Sequence, residues 1–361
     1  MRLLSFLLFV SIMAKGQGSD SLLQSILALD NDTQQVNLLY QRGFVLRNND
    51  PLKAFEYAQL CEQAAKRSGS ELHEAKAFNL LGLLTYKKGQ LTKALNYHQK
   101  ALAIRLAHHD FLGIALSETN LGNVYSDLSL YQKAENSYLK ALTLYKQLHD
   151  EIREADCLIN LGVLKQNLEQ NDEAAENYLM AYQVADAKND YERKTLCLNN
   201  LAVIYQEAGQ FEKAIACNED ALKLRRIMDN RLEEADSYLN LASVYMDMKD
   251  FSKAITELDT AYFIARQFEY FEAQLSAYEL YAKYYVGTKN FEKAYLWLQK
   301  SESCKDSLRA MQAEVNFAEA EQLNAENAVV SETGALHNKG LLICIFILFI
   351  GIPFTLIHYK R

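Results

Sequence analysis

Leu198-Asn199-Asn200-Leu201-Ala202-Val203-Ile204-Tyr205 is the stretch that decides the fold, because the chain repeats it at a fixed step. Forty residues earlier stands Leu158-Ile159-Asn160-Leu161-Gly162-Val163-Leu164, and forty later Tyr238-Leu239-Asn240-Leu241-Ala242-Ser243-Val244-Tyr245. The Leu-Gly or Leu-Ala mark recurs in the same register at 81/82, 121/122, 161/162, 201/202 and 241/242, and as Tyr281-Ala282. A second mark, Ala94, Ala134, Ala174, Ala214, Ala254 and Ala294, keeps the same step. Between the two marks run an aromatic (Tyr125, Tyr205, Tyr245, Tyr285), a turn, another aromatic (Tyr131, Phe211, Phe251, Phe291) and then Lys-Ala. A period of this length, with small residues where helices must approach and aromatics to fill the gaps, predicts a helical hairpin per unit.

The composition agrees. Half of the 361 residues are hydrophobic, while proline occurs twice (Pro51, Pro353) and glycine 14 times. So few helix breakers predict an all-α protein. The formal net charge of -8 argues against nucleic acid, whose phosphates are met by clustered Lys and Arg.

The pattern resembles the tetratricopeptide repeat in a 40-residue form, and residues 198–205 are similar to the repeats of kinesin light chains. The resemblance covers residues 36–304. It implies an α-solenoid of about seven hairpins wound into a right-handed superhelix, with first helices on the concave face. The first unit (Gly43, Pro51, Ala54, Ala58) is one residue short in its turn, and residues 17–35, with a helix from Ser21 to Leu29, read as an N-terminal cap.

Both ends are apolar. Arg2, the run Leu3 to Met13 and the small residues Ala14 and Gly16 match a secretory signal over residues 1–16, with a buried first helix as the competing reading. Leu341 to Ile357 is an uncharged stretch long enough to span a bilayer, so residues 340–358 are expected to form one transmembrane helix. Lys360 and Arg361 after it place the tail, 359–361, in the cytoplasm and the array on the extracytoplasmic, periplasmic side. Residues 305–339 read as a helical stalk and linker. The spacing of Leu308, Met311, Val315, Ala318, Gln322, Ala325 and Val329 suits either a dimerising stalk or a capping helix folded back on the array.

No enzyme motif or cofactor loop is spelled out, and no cofactor is expected. The six cysteines show no metal or redox spacing. His108-His109-Asp110 falls in register with His149-Asp150 and Asn189-Asp190, which makes it a turn, and no metal is expected there. One polar feature follows the period. Asn120, Asn160, Asn200 and Asn240 each precede the mark by one residue and form a line, while Leu80 and Leu280 hold the equivalent places. On the same helical face lie Asn123, Val163, Val203 and Ser243, then Asp127, Asn167, Glu207 and Asp247. In kinesin light chains and bacterial peptide-pheromone receptors, asparagines in such places hold the backbone of an extended peptide. The resemblance therefore implies a ligand-binding face made of Asn120, Asn160, Asn200, Asn240, Asn123, Asp127, Asn167, Glu207 and Asp247. A hydrogen-bond line that stiffens the stack is the other reading.

The function expected is a membrane-anchored scaffold or receptor for a peptide or protein segment, without catalysis. The alternative is the sensor part of a signalling system. The layout resembles the outer half of bacterial envelope sensors, but no kinase or DNA-binding segment precedes Arg361, so a separate partner would carry the signal.

Overall fold

The computed structural model describes residues 21–310 and residue 313. Every regular element among them is a helix, and the helices fall into two compact units, one ending at Phe268 and the other beginning at Glu269. In the first unit α1 (Ser21–Leu27) precedes six hairpins. These are α2 (Asp32–Leu46) with α3 (Pro51–Ser68), α4 (Glu71–Lys87) with α5 (Leu91–Ala107), and α6 (Phe111–Asp127) with α7 (Tyr131–Gln147). They continue with α8 (Glu151–Asn167) and α9 (Asn171–Ala187), α10 (Tyr191–Glu207) and α11 (Phe211–Ile227), and α12 (Arg231–Asp247) and α13 (Phe251–Gln267). The second unit holds α14 (Phe271–Gly287) and α15, helical over 291–310. The helix expected from Ser21 to Leu29 ends at Leu27, and α2 begins at Asp32, four residues before the array was expected to start.

From α4 to α14 each helix is 17 residues long and is followed by the same three-residue turn. The middle turn residue has a left-handed backbone at Gly69, Gly89, His109, Ser129, His149, Glu169, Asn189, Gly209, Asp229, Lys249, Glu269 and Lys289, one every 20 residues. In the turn after α4, Gly89 N–H donates to Tyr86 O and Gln90 N–H to Thr85 O, the Schellman pattern that satisfies the last carbonyls of a helix. The next helix is then capped. Asp110, Asp150, Asp190, Asn230 and Asp250 each accept the N–H three residues on. The histidine-rich turn is one of these joints, with His108 Nε2 lying 2.6 Å from Glu71 Oε2.

The repeated marks are the core. Leu81, Leu121, Leu161, Leu201 and Leu241 are buried, as are Ala94, Ala134, Ala174, Ala214 and Ala254. Each such leucine is worth about 1.5–3 kcal/mol when withdrawn from water. The glycine of the mark lets the partner helix press a ring onto the backbone: His98 against Gly82, Tyr138 against Gly122 and Tyr178 against Gly162. In the second unit the Tyr281 ring stacks on Trp297 at 4.2 Å between centroids.

The leader expected at 1–16, the span at 340–358, the tail at 359–361 and all but the first few residues of the stalk at 305–339 lie outside the described residues. Among the described residues no helix is long and apolar enough to cross a membrane.

Candidate binding face on the first helices

Consecutive first helices touch one another, α4 with α6, α6 with α8 and α8 with α10. They touch through polar side chains. Asn79 Nδ2 donates to the Tyr40 hydroxyl (3.4 Å), and Asn120 Nδ2 donates to Asn79 Oδ1 (2.8 Å), so a short polar chain crosses three hairpins. Further along, Arg193 donates from Nε and Nη2 to the two oxygens of Asp156 (2.7 and 2.8 Å). Gln206 Nε2 donates to Asp247 Oδ2 (2.6 Å) and Ser243 Oγ (3.1 Å). The Tyr86 hydroxyl pairs with Asp127; its pKa is raised, first by burial and then by that carboxylate.

The four ladder asparagines are all half-buried at matching places. They do not bond one another. Asn120 spends its amide on Asn79, whereas Asn160, Asn200 and Asn240 make no side-chain hydrogen bond with the described residues. Polar contacts between hairpins run through Asn120 with Asn79, Arg193 with Asp156, and Gln206 with Asp247 and Ser243. Three half-buried carboxamides, each able to donate and accept, thus have no side-chain hydrogen bond among the described residues.

The other predicted residues divide. Asn123 is turned to its own hairpin, where its Oδ1 accepts from the Tyr138 hydroxyl (2.7 Å). Asn167, Glu207, Asp247 and Asp127 are exposed. Asn171 Nδ2 donates to Glu207 Oε2 at 3.4 Å, which leaves the carboxylate open to solvent. Val163 and Val203, between the asparagine and acidic rows, are each 40% exposed.

Asn79 and the lysines beside it were missed by periodicity. Asn79 is one residue out of register with the ladder, yet it accepts from Asn120 across the hairpins. Lys76 Nζ donates to Asn37 Oδ1 (2.6 Å) and lies over the Tyr40 ring, and Lys87 donates to Asn48 Oδ1. Burial lowers the pKa of Lys76.

Among the described residues no three His, Cys, Asp or Glu side chains gather as a metal site. Cys61, Cys157 and Cys197 are unpaired and buried, and burial pushes each thiol up to about 12, which suits packing and not nucleophilic attack.

Family models described as tetratricopeptide repeat match residues 75–109, 113–187 together with 154–227, and 235–267. No curated protein matches the chain. Among solved structures, the apo form of RapI is 15% identical with a TM-score of 0.60, covering 76% of this chain and 99% of its own. A Rap protein complexed with competence and sporulation factor is 17% identical, TM-score 0.58, covering 80% of each chain. A signal transduction ATPase with a tetratricopeptide repeat sensor from Pyrococcus horikoshii is 17% identical, TM-score 0.65, covering 80% of this chain and 45% of its own. At these identities the likeness is one of fold.

Proposed function

The chain belongs to the tetratricopeptide repeat family, and from that premise we propose that this protein-interaction scaffold holds an extended peptide or protein segment along the concave side of a right-handed array of first helices. One observation supports the proposal: Asn160, Asn200 and Asn240 recur at the same helical place, half-buried and without a side-chain hydrogen bond among the described residues. A carboxamide offers an N–H and a C=O together, the pair needed to hold a peptide backbone whatever its side chains. First helices packed about 8–10 Å apart, against about 3.3 Å per extended residue, give one such contact about every third residue. The role is binding, with no reaction of its own.

The apolar ends of the sequence support the rest of the reading. A cleaved leader over 1–16 and a span over 340–358 hold the array on the outer side of a membrane, with residues 305–339 as a spacer through which two chains can pair. A signalling role through a separate partner is the second reading. It is favoured by the solved sensor and by the Rap protein bound to its factor, whose fold this chain shares.

The test replaces Asn160, Asn200 and Asn240 with alanine together. Thermal unfolding is expected to stay unchanged, while retention of an immobilised degenerate peptide library falls by about 0.5–1.5 kcal/mol for each hydrogen bond lost. A drop in stability with unchanged retention would make the ladder structural and sink the proposal. Location is tested separately: protease added to intact spheroplasts should digest the array, and full protection would overturn the outward orientation.

A further inference from the structure

The hairpins differ in how their second helices are covered. At the start of the first unit α1 lays Ile26 into a cluster with Val36, Leu39 and Tyr57, so the first hairpin is closed from outside. Further along, the side of a second helix that faces onward is closed by the next hairpin: Tyr138 packs with Cys157 and Leu161, and Tyr178 with Cys197 and Leu201. On α15 the same side is open. Leu298 stands at the place where His98, Tyr138, Tyr178, Asn218 and Leu258 are buried, yet it is 50% exposed. Tyr295 (61%) and Phe291 (66%) lie one and two turns before it on the same stripe, and a groove along the stripe is lined by Tyr295, Leu298, Glu302 and Asp306.

The sequence does not supply a cover in register. Each helix from α4 to α14 gives way to a turn after 17 residues, whereas α15 stays helical through 308–310, the places of the next turn. Forty residues after Tyr281-Ala282 and Lys293-Ala294 stand Glu321-Gln322 and Thr333-Gly334, which are not the marks of a further hairpin. The face is also balanced in charge. Lys305 pairs with Glu279 and Glu302, and Arg309 with Asp306, so two such faces meet with no excess of either sign from these groups.

We propose that this face, centred on Phe291, Tyr295 and Leu298, joins two copies of the chain, α15 against α15 about a two-fold axis. Identical surfaces close on each other and end the array, whereas head-to-tail stacking would need the start of a second copy, which α1 already covers. The anchored reading favours the same pairing. Of all the hairpins this one stands nearest in sequence to the span expected at 340–358, so two chains held in one membrane meet here at high effective concentration. The contact is the hairpin itself, distinct from pairing along residues 305–339, and it does not depend on the asparagine face.

Sedimentation equilibrium of the full chain in detergent micelles tests the pairing. The parent is expected to be a dimer. Phe291→Glu with Leu298→Glu should weaken self-association about tenfold or more, with helicity kept because both residues are exposed. A monomeric parent, or a dimer that survives both changes, overturns the inference. A second measurement does not depend on those variants: a photoreactive benzoyl-phenylalanine in place of Tyr295, irradiated in membranes, should give a product of two chains. Products within one chain alone would mean that residues 311–339 cover the face, and would overturn the inference as well.

Discussion

The ring of Tyr178 lies so close to Gly162 that a Cβ placed on the glycine would come 2.5 Å from Cε1. The pairing is systematic. Gly82 faces His98 and Gly122 faces Tyr138 in the same way, while Ala242 stands in the hairpin where Leu258 takes the ring's place. A methyl on one helix is thus exchanged for a ring on the other. Gly162→Ala is expected to destabilise the protein, since overpacking costs about 1–3 kcal/mol against about 1 kcal/mol returned by helix propensity. Adding Tyr178→Leu, which recreates the Ala242–Leu258 pair, should recover much of the loss. Additive losses in a double-mutant cycle by urea denaturation would show that the two residues do not share the space.

A second exchange involves charge. Tyr125, Tyr205, Tyr245 and Tyr285 each lie under a lysine of the following helix at 5.2–5.7 Å, Lys133, Lys213, Lys253 and Lys293. In the α8–α9 hairpin the order is reversed: Lys165 Nζ lies 2.7 Å from Glu173 and 2.7 Å from Glu135. Lys165→Tyr alone should leave Glu135 without its cation and lower stability. With Glu173→Lys added, the cation–ring arrangement of the other hairpins is restored, worth about 0.5–1 kcal/mol. The check is the melting temperature of both variants, and failure of the second change to improve on the first would contradict the exchange.

The turns supply a third expectation. Lys249 (φ 61°) and Glu169 (φ 59°) occupy the left-handed backbone that Gly209 (φ 71°) occupies at an equivalent joint. A side-chain-bearing residue there costs about 1–2 kcal/mol, and glycine recovers part of it after its larger unfolded-state entropy is counted. Lys249→Gly is expected to raise stability by about 0.5–1 kcal/mol, whereas Gly209→Ala should lower it. Chemical denaturation of both variants tests the pair, and a destabilised Lys249→Gly would show that the lysine side chain holds more than the backbone costs.

These elements differ in how far the sequence discloses them. The 40-residue step was plain because Leu161-Gly162 and Ala174 are constrained by contact, and contact repeats with the hairpin. The 20-residue step of the turns was not, because the left-handed place is glycine only at Gly69, Gly89 and Gly209 and elsewhere takes residues as different as His109, Ser129, Glu169 and Lys249. The Gly162–Tyr178 exchange was present as a covariation 16 residues apart, visible only once the two helices are known to face each other. The asparagine line was legible as a line. Which of its members is already bonded was not, since Asn79 reaches Asn120 from outside the register. The lysines at the α4 end were invisible to a search for repeats because they break the repeat.

The last expectation concerns pH. His98 is buried against Gly82, its Nδ1 has no hydrogen-bond partner, and its pKa is lowered from 6.5 to about 4, first by burial and then by the nearby Arg105. The folded protein thus holds the neutral ring, while the unfolded chain takes up a proton below its ordinary pKa. Above about pH 6.5 neither state is protonated there and His98 costs nothing in pH terms. As pH falls from about 6.5 towards 4 the unfolded state gains protons first, so stability declines by up to about 1.4 kcal/mol per pH unit, roughly 3 kcal/mol in all, and levels once the folded ring is protonated. Carboxylates titrate over part of the same range, so the measurement is a difference. His98→Phe keeps an aromatic ring against the glycine and removes the titrating nitrogen. Urea midpoints at several pH values between about 7.5 and 4 should fall more steeply for the parent than for the variant, with the gap opening below about pH 6.5. Parallel curves would mean that His98 is protonated in the folded protein or reaches water, and that its burial against Gly82 is not maintained in solution.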